Sequence, residues 1–169
     1  MTKGKLASVF IVDDSDIERS MLTDHLSKYK SLNVRTLYGS VPDADDMYKY
    51  LRESLGVPAD QITNLRDSEA TRAIIINGFR AIRDDSRIRN GDAIVIFYAG
   101  HGNDTKAPDG WESEGDKTQY ITPHDIRTTG DDGKEIFGIP DRTIAALIND
   151  IAKAKGDNIV RYKLDMIIF

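Results

Sequence analysis

Residues Asp92–Ala99 read DAIVIFYA, an apolar run of mostly β-branched and aromatic side chains opened by one acid. Such a strand presents apolar groups to both faces, so neither face can meet water. It belongs at the centre of a parallel sheet that helices cover on both sides. A fold that hides this strand needs a sizeable core, and 169 residues with 40% hydrophobic content are enough to build one.

The rest of the chain supplies the covering helices and further strands. Ala7–Asp13 (ASVFIVD) reads as a buried strand, and Ser15 to Glu18 form a capping box that opens a helix to about Lys28. Val34–Leu37 is a second strand signal. Pro42 and Asp43 open a helix over Ala44–Leu55 whose inward face is Met47, Tyr48 and Leu51, with Gly56 and Pro58 closing it. Gln61–Leu65 is a brief strand, after which Ser68 is expected to cap a helix from Ala70 to Ile82 facing the core with Ile74, Ile75, Phe79 and Ile82. Residues 103–138 read as loop, apart from a short strand near Gln119–Thr122. Ile139, Pro140 and Asp141 start a last helix to about Lys155, ended by Gly156, and Lys163–Phe169 (KLDMIIF) is another strand. This alternation predicts one α/β domain over residues 1–169, a three-layer sandwich with a mostly parallel central sheet and helices on both faces.

Composition narrows the chemistry. The chain has no cysteine, which removes disulfides, thiolate metal sites and a cysteine nucleophile from these 169 residues. Its three histidines (His25, His101, His124) make a multi-histidine metal site a poor expectation. Lys and Arg number 23 against 28 Asp and Glu, a net charge of −5, so no nucleic-acid partner is expected. No apolar run approaches membrane-spanning length and no leader pattern opens the chain; the expectation is a cytoplasmic protein.

Ligands of open parallel sheets gather at the strands' carboxyl ends. His101 stands there between Gly100 and Gly102, directly after the central strand. The segment Asp92–Gly102 (DAIVIFYAGHG) closely resembles the caspase and metacaspase family, whose catalytic histidine lies in such a Gly-His-Gly turn. Leu37–Ala44 (LYGSVPDA) resembles the family's Gly-X-X-Asn-Asp-Ala stretch, with Pro42 in place of Asn. Tyr120–Asp125 (YITPHD) resembles its later Pro-X-Asp segment, and Ile139–Lys155 the helix before the nucleophile strand. The resemblance covers about residues 29–159. It implies a caspase-like or flavodoxin-like fold, His101 as general base and acid of a Cys-His dyad, the Gly102 amide as an oxyanion donor, and Asp43 as an acidic S1-pocket group selecting Arg or Lys in a peptide or protein substrate. Asp43 reads equally well as a helix N-cap. Where the family carries its cysteine, this chain continues Val160–Phe169 (VRYKLDMIIF), so a base remains without a thiol to activate and no peptidase activity is expected.

Both ends resemble a different family. Residues 7–28 resemble the start of a response-regulator receiver domain, whose acidic pair, here Asp13 and Asp14, binds Mg²⁺. From the residues alone the pair reads as an acidic strand end before a helix N-cap. Residues 160–169 resemble the receiver's third strand, without the phosphoacceptor. Three readings follow: an inactive metacaspase-like module, a receiver-derived phosphorelay or signalling module, and a non-catalytic, chimeric interaction domain. Asp104, Asp109, Glu112, Glu114 and Asp116 form an acidic stretch, a candidate Ca²⁺ loop that lacks EF-hand spacing and otherwise reads as a solvated loop.

Overall fold

The computed structural model describes residues 10–11, 33–37, 41–111 and 116–161. Among these described residues, two sheets and three main helices form a mixed α/β arrangement. The larger sheet has five strands: β1 (Phe10–Ile11), β2 (Asn33–Leu37), β3 (Ile62–Asn64), β4 (Ile94–Tyr98) and, last in the chain, β8 (Ile159–Arg161). All its pairings are parallel, and β4 is the hub. It pairs with β1, β2 and β8, while β2 also pairs with β3.

Every residue of β4 is buried, as its two-faced apolar pattern requires. Alternate side chains enter separate cores. Ile94, Ile96 and Tyr98 pack with Ile75, Phe79 and Ile82 of helix α2 (Arg72–Asp84) and with Ile148 and Ile151 of helix α3 (Asp141–Lys155). Val95, Phe97 and Ala99 pack with Met47 of helix α1 (Val41–Lys49), Leu51 of the π-helical turn that extends it (Tyr50–Ser54), and Val57. Each fully buried aliphatic or Phe side chain contributes about 1.5–3 kcal/mol.

The second sheet departs from the expected single parallel sheet. β5 (Gly102–Lys106), β6 (Lys117–Ile121) and β7 (Ile139–Pro140) form a separate antiparallel sheet in that order. Here lies the segment that reads as loop. β5 is GNDTK, polar throughout, and owes its extended form to its ladder with β6 rather than to an apolar pattern.

Helix starts also shift. α1 begins at Val41, which places Pro42 and Asp43 in its first turn and makes Asp43 a helical residue rather than the N-cap. Pro fits there because a first-turn amide has no helical acceptor. The cap of α2 is Thr71, whose side chain accepts from the Ile74 amide at 3.3 Å, and not Ser68. Ser68 sits instead in a 3₁₀ turn, preceded by Asp67 at a left-handed φ of 45°. Ile74, expected in the core, is 42% exposed, whereas Ile75, Gly78, Phe79 and Ile82 form the buried stripe. The helix expected after Ser15 and the strand expected at Lys163–Phe169 lie outside the described residues.

Candidate active site

The site is built from the carboxyl ends of β2 and β4. These strands run parallel with Leu37 opposite Tyr98, so they leave the sheet side by side at one edge. Three residues beyond Tyr98 comes His101; beyond Leu37 the chain returns as α1, with Asp43 in its first turn. The topology therefore carries both residues to the same rim of the sheet. His101 is exposed there, and among the described residues its imidazole has no hydrogen-bond partner.

The backbone of His101 is held firmly. Its carbonyl accepts from the Thr122 amide at 2.9 Å and from the Tyr98 hydroxyl at 2.8 Å. The Tyr98 hydroxyl also lies 3.1 Å from the Thr122 carbonyl and accepts from the Thr122 amide at 3.2 Å. Tyr98 is only 3% exposed. Burial pushes its phenol well above the ordinary value of 10.0, against a smaller lowering by the Thr122 backbone. The residue after Thr122 is the buried Pro123, then the His124 amide donates to the Ala70 carbonyl at 3.0 Å. Asp125 Oδ1 accepts from the Arg72 amide at 2.8 Å in the first turn of α2. The Gly-His-Gly turn and the Thr-Pro-His-Asp segment, separate in the sequence, thus meet across one hydroxyl and are fastened to the same helix.

The β5–β6 register orients Gly102. Because Thr122 donates to the His101 carbonyl, Gly102 and Ile121 form a non-hydrogen-bonded pair, and the Gly102 amide is directed away from β6. Among the described residues β5 is the terminal strand of its sheet, so this amide lies on an outer edge beside His101. An imidazole and an outward amide at one strand end can accept a proton and stabilise an oxyanion on a carbonyl placed between them.

Near Asp43, Asp45 of the same helix pairs with Arg66 just beyond β3, which ties the start of α1 to the neighbouring strand. Asp13 and Asp14 lie outside the described residues. In the acidic stretch, Asp104 is engaged by Lys117 Nζ at 2.8 Å, and residues 112–115 are not described. Among the described residues no group of three or more His, Asp or Glu side chains is disposed to hold a metal ion. No described helix is long and apolar enough to cross a membrane. Tyr98 is a support that patterning hides, because it reads as a core strand residue, whereas Asp125 belongs to the Pro-X-Asp segment already singled out and fastens it to α2.

A mixed α/β core with a rim histidine after its central strand is consistent with a caspase-like fold. The family description "Metacaspase, peptidase C14 domain" matches residues 27–154. The chain belongs to that family. It is similar to a protein named Metacaspase-1 from Ajellomyces capsulatus, 31% identical over 100 residues that are 56% of this chain and 27% of that one. It is also similar to Metacaspase-4 from Arabidopsis thaliana, 30% identical over 125 residues (71% of this chain, 30% of the relative). The chain spans less than a third of the length of these relatives. No solved structure matches it significantly.

Proposed function

We propose that this chain is a caspase-like cysteine-endopeptidase module of the metacaspase type that keeps the histidine base and lacks the thiol within its 169 residues. His101 would accept and return the proton, the Gly102 amide would hold the oxyanion, and Asp43 would select an Arg or Lys side chain of a peptide substrate, in a cytoplasmic setting. The observation that carries this reading is the pairing of His101 with an outward Gly102 amide at the end of β4, inside the stretch that matches the family. With no sulfur to attack a carbonyl, proton transfer at His101 has no productive partner and the chain does not turn substrate over. In the same reading the residues form one domain in three layers, with the receiver-like ends contributing β1 and β8 as sheet strands rather than a phosphotransfer site; both strands pair with β4, and helices from the two core clusters lie against its two faces.

The test is a fluorogenic Arg- and Lys-peptide assay of the chain, with and without Ca²⁺. No turnover is expected. Turnover that disappears in His101→Ala would overturn the assignment of inactivity and show another nucleophile at work.

A further inference from the structure

The antiparallel sheet carries a cavity of about 410 Å³ that the proposed chemistry does not use. That volume falls within the range of small-ligand pockets. Its walls are the rings of Trp111, Tyr120 and Phe137, and its charged lining is Lys106, Arg127 and Glu135. Phe137 is 67% exposed, so its ring presents apolar surface to solvent at the mouth of the cavity. Trp111 is half-buried and held in place by the Arg142 guanidinium, 5.3 Å from its ring centre.

Arg127 is the most telling residue of the lining. It adopts φ 62°, a left-handed conformation uncommon for a side chain other than Gly, Asn or Asp. Two backbone bonds hold it so: its amide donates to the Ile136 carbonyl at 2.8 Å, and the Ile136 amide donates to the Thr128 carbonyl at 2.9 Å. Strain of this kind persists where a surrounding structure enforces it, often at ligand clamps. The Arg127 guanidinium and the Lys106 ammonium have no partner among the described residues. Two cations against one acid make the lining net positive on a chain whose net charge is −5.

We infer that this cavity docks an acidic peptide segment bearing an aromatic or branched apolar side chain. The side chain enters between Trp111, Tyr120 and Phe137, and flanking carboxylates meet Arg127 and Lys106. Thr105, one wall of the cavity, is four residues along the β5 ladder from His101, about 13 Å at strand spacing. The docking site is therefore separate from the rim histidine, and the inference does not rest on the protease reading.

Trp111 is the single tryptophan of the chain, so its emission reports occupancy. The probe is a tryptophan-free peptide, acetyl-Glu-Asp-Phe-Glu-Leu-Asp-amide, titrated under selective tryptophan excitation into the full chain. A saturable change in emission is expected, weakened about tenfold in Arg127→Gly, the loss of one charge-assisted contact. Glycine accepts φ 62° without strain, so this variant keeps the fold while removing the guanidinium. Lys106→Glu, at an exposed strand position, should weaken binding to a similar extent. A peptide with Lys at every acidic position should give no saturable change. Equal binding of the basic peptide, unchanged affinity in both variants, or no response to the acidic peptide overturns the inference. Binding that arises only after Glu112→Gln and Glu114→Gln overturns docking of a segment from another molecule, because the chain's own acidic stretch would then be the occupant.

Discussion

Replacing Tyr98 by Phe removes one hydroxyl and little else, and the structure sets both the size and the pH dependence of the effect. The hydroxyl bridges the His101 and Thr122 carbonyls and receives the Thr122 amide in a site that is 3% exposed. After Tyr98→Phe, the His101 carbonyl loses the hydroxyl's proton but keeps the Thr122 amide, and the Thr122 carbonyl loses the polar atom 3.1 Å from it. The cost at neutral pH is about 1–2 kcal/mol, a fall in Tm of about 3–6 °C for a domain of this size. The sign reverses in alkali. Burial holds the folded phenol above its unfolded value of 10.0, so the folded state keeps a proton that the unfolded chain releases. Stability from this group is whole below pH 10.0 and falls by about 1.4 kcal/mol per pH unit above it, until the folded phenol itself ionises. Tyr98→Phe carries no such loss. The two proteins should therefore become equally stable about one pH unit above 10.0, with the variant ahead beyond that. Urea denaturation of both proteins at a series of pH values, read by far-UV circular dichroism, checks this. Parallel stability curves across the alkaline range would refute the buried, hydrogen-bonded phenol.

Other substitutions probe different parts of the fold. Phe79→Ala empties a fully buried position between α2 and β4 and should cost about 3–5 kcal/mol, measured by urea midpoint at unchanged slope. Thr71→Ala removes the cap of α2 and should cost about 1 kcal/mol, whereas Ser68→Ala should be near neutral in the same denaturation series. Gly138→Ala drives a methyl group into the Tyr120 ring; a loss of about 1–3 kcal/mol is expected, with altered Trp111 emission as the cavity wall moves. Arg127→Gly should raise stability by about 0.5–1 kcal/mol as the left-handed strain is relieved, even as it weakens peptide docking.

Where a segment's own residues decide its conformation, the sequence was readable. DAIVIFYA has no alternative to a covered central strand, and the apolar spacing of Asp141–Lys155 followed by Gly156 defines α3 and its end, Gly156 taking φ 88°. Reading failed where a distant partner decides. Gly102–Lys106 carries no strand pattern, and only the register with Lys117–Ile121 extends it. Ser68 and Thr71 are equally good caps in isolation; the turn at Asp67 and the acceptor Asp125, 53 positions from Arg72, select Thr71. The candidate site divides the same way. His101 stands out in the sequence by its place after β4, but its anchorage by Tyr98 depends on a hydroxyl that apolar patterning counts as core, and the separate aromatic cavity draws on β5, a strand that local signals do not announce.

The dependence of the larger sheet on β4 has a consequence for how the chain is made. Among the described residues, Phe10–Ile11 finds its ladder partners only at Ile96 and Phe97, and β2 gains its second neighbour only there. A ribosome releasing residues in order exposes those edges, unsatisfied, while the intervening span emerges. Slowed synthesis or crowding before Tyr98 is reached should favour clumping of nascent chains, and a holdase that shields open strand edges would matter most in that interval.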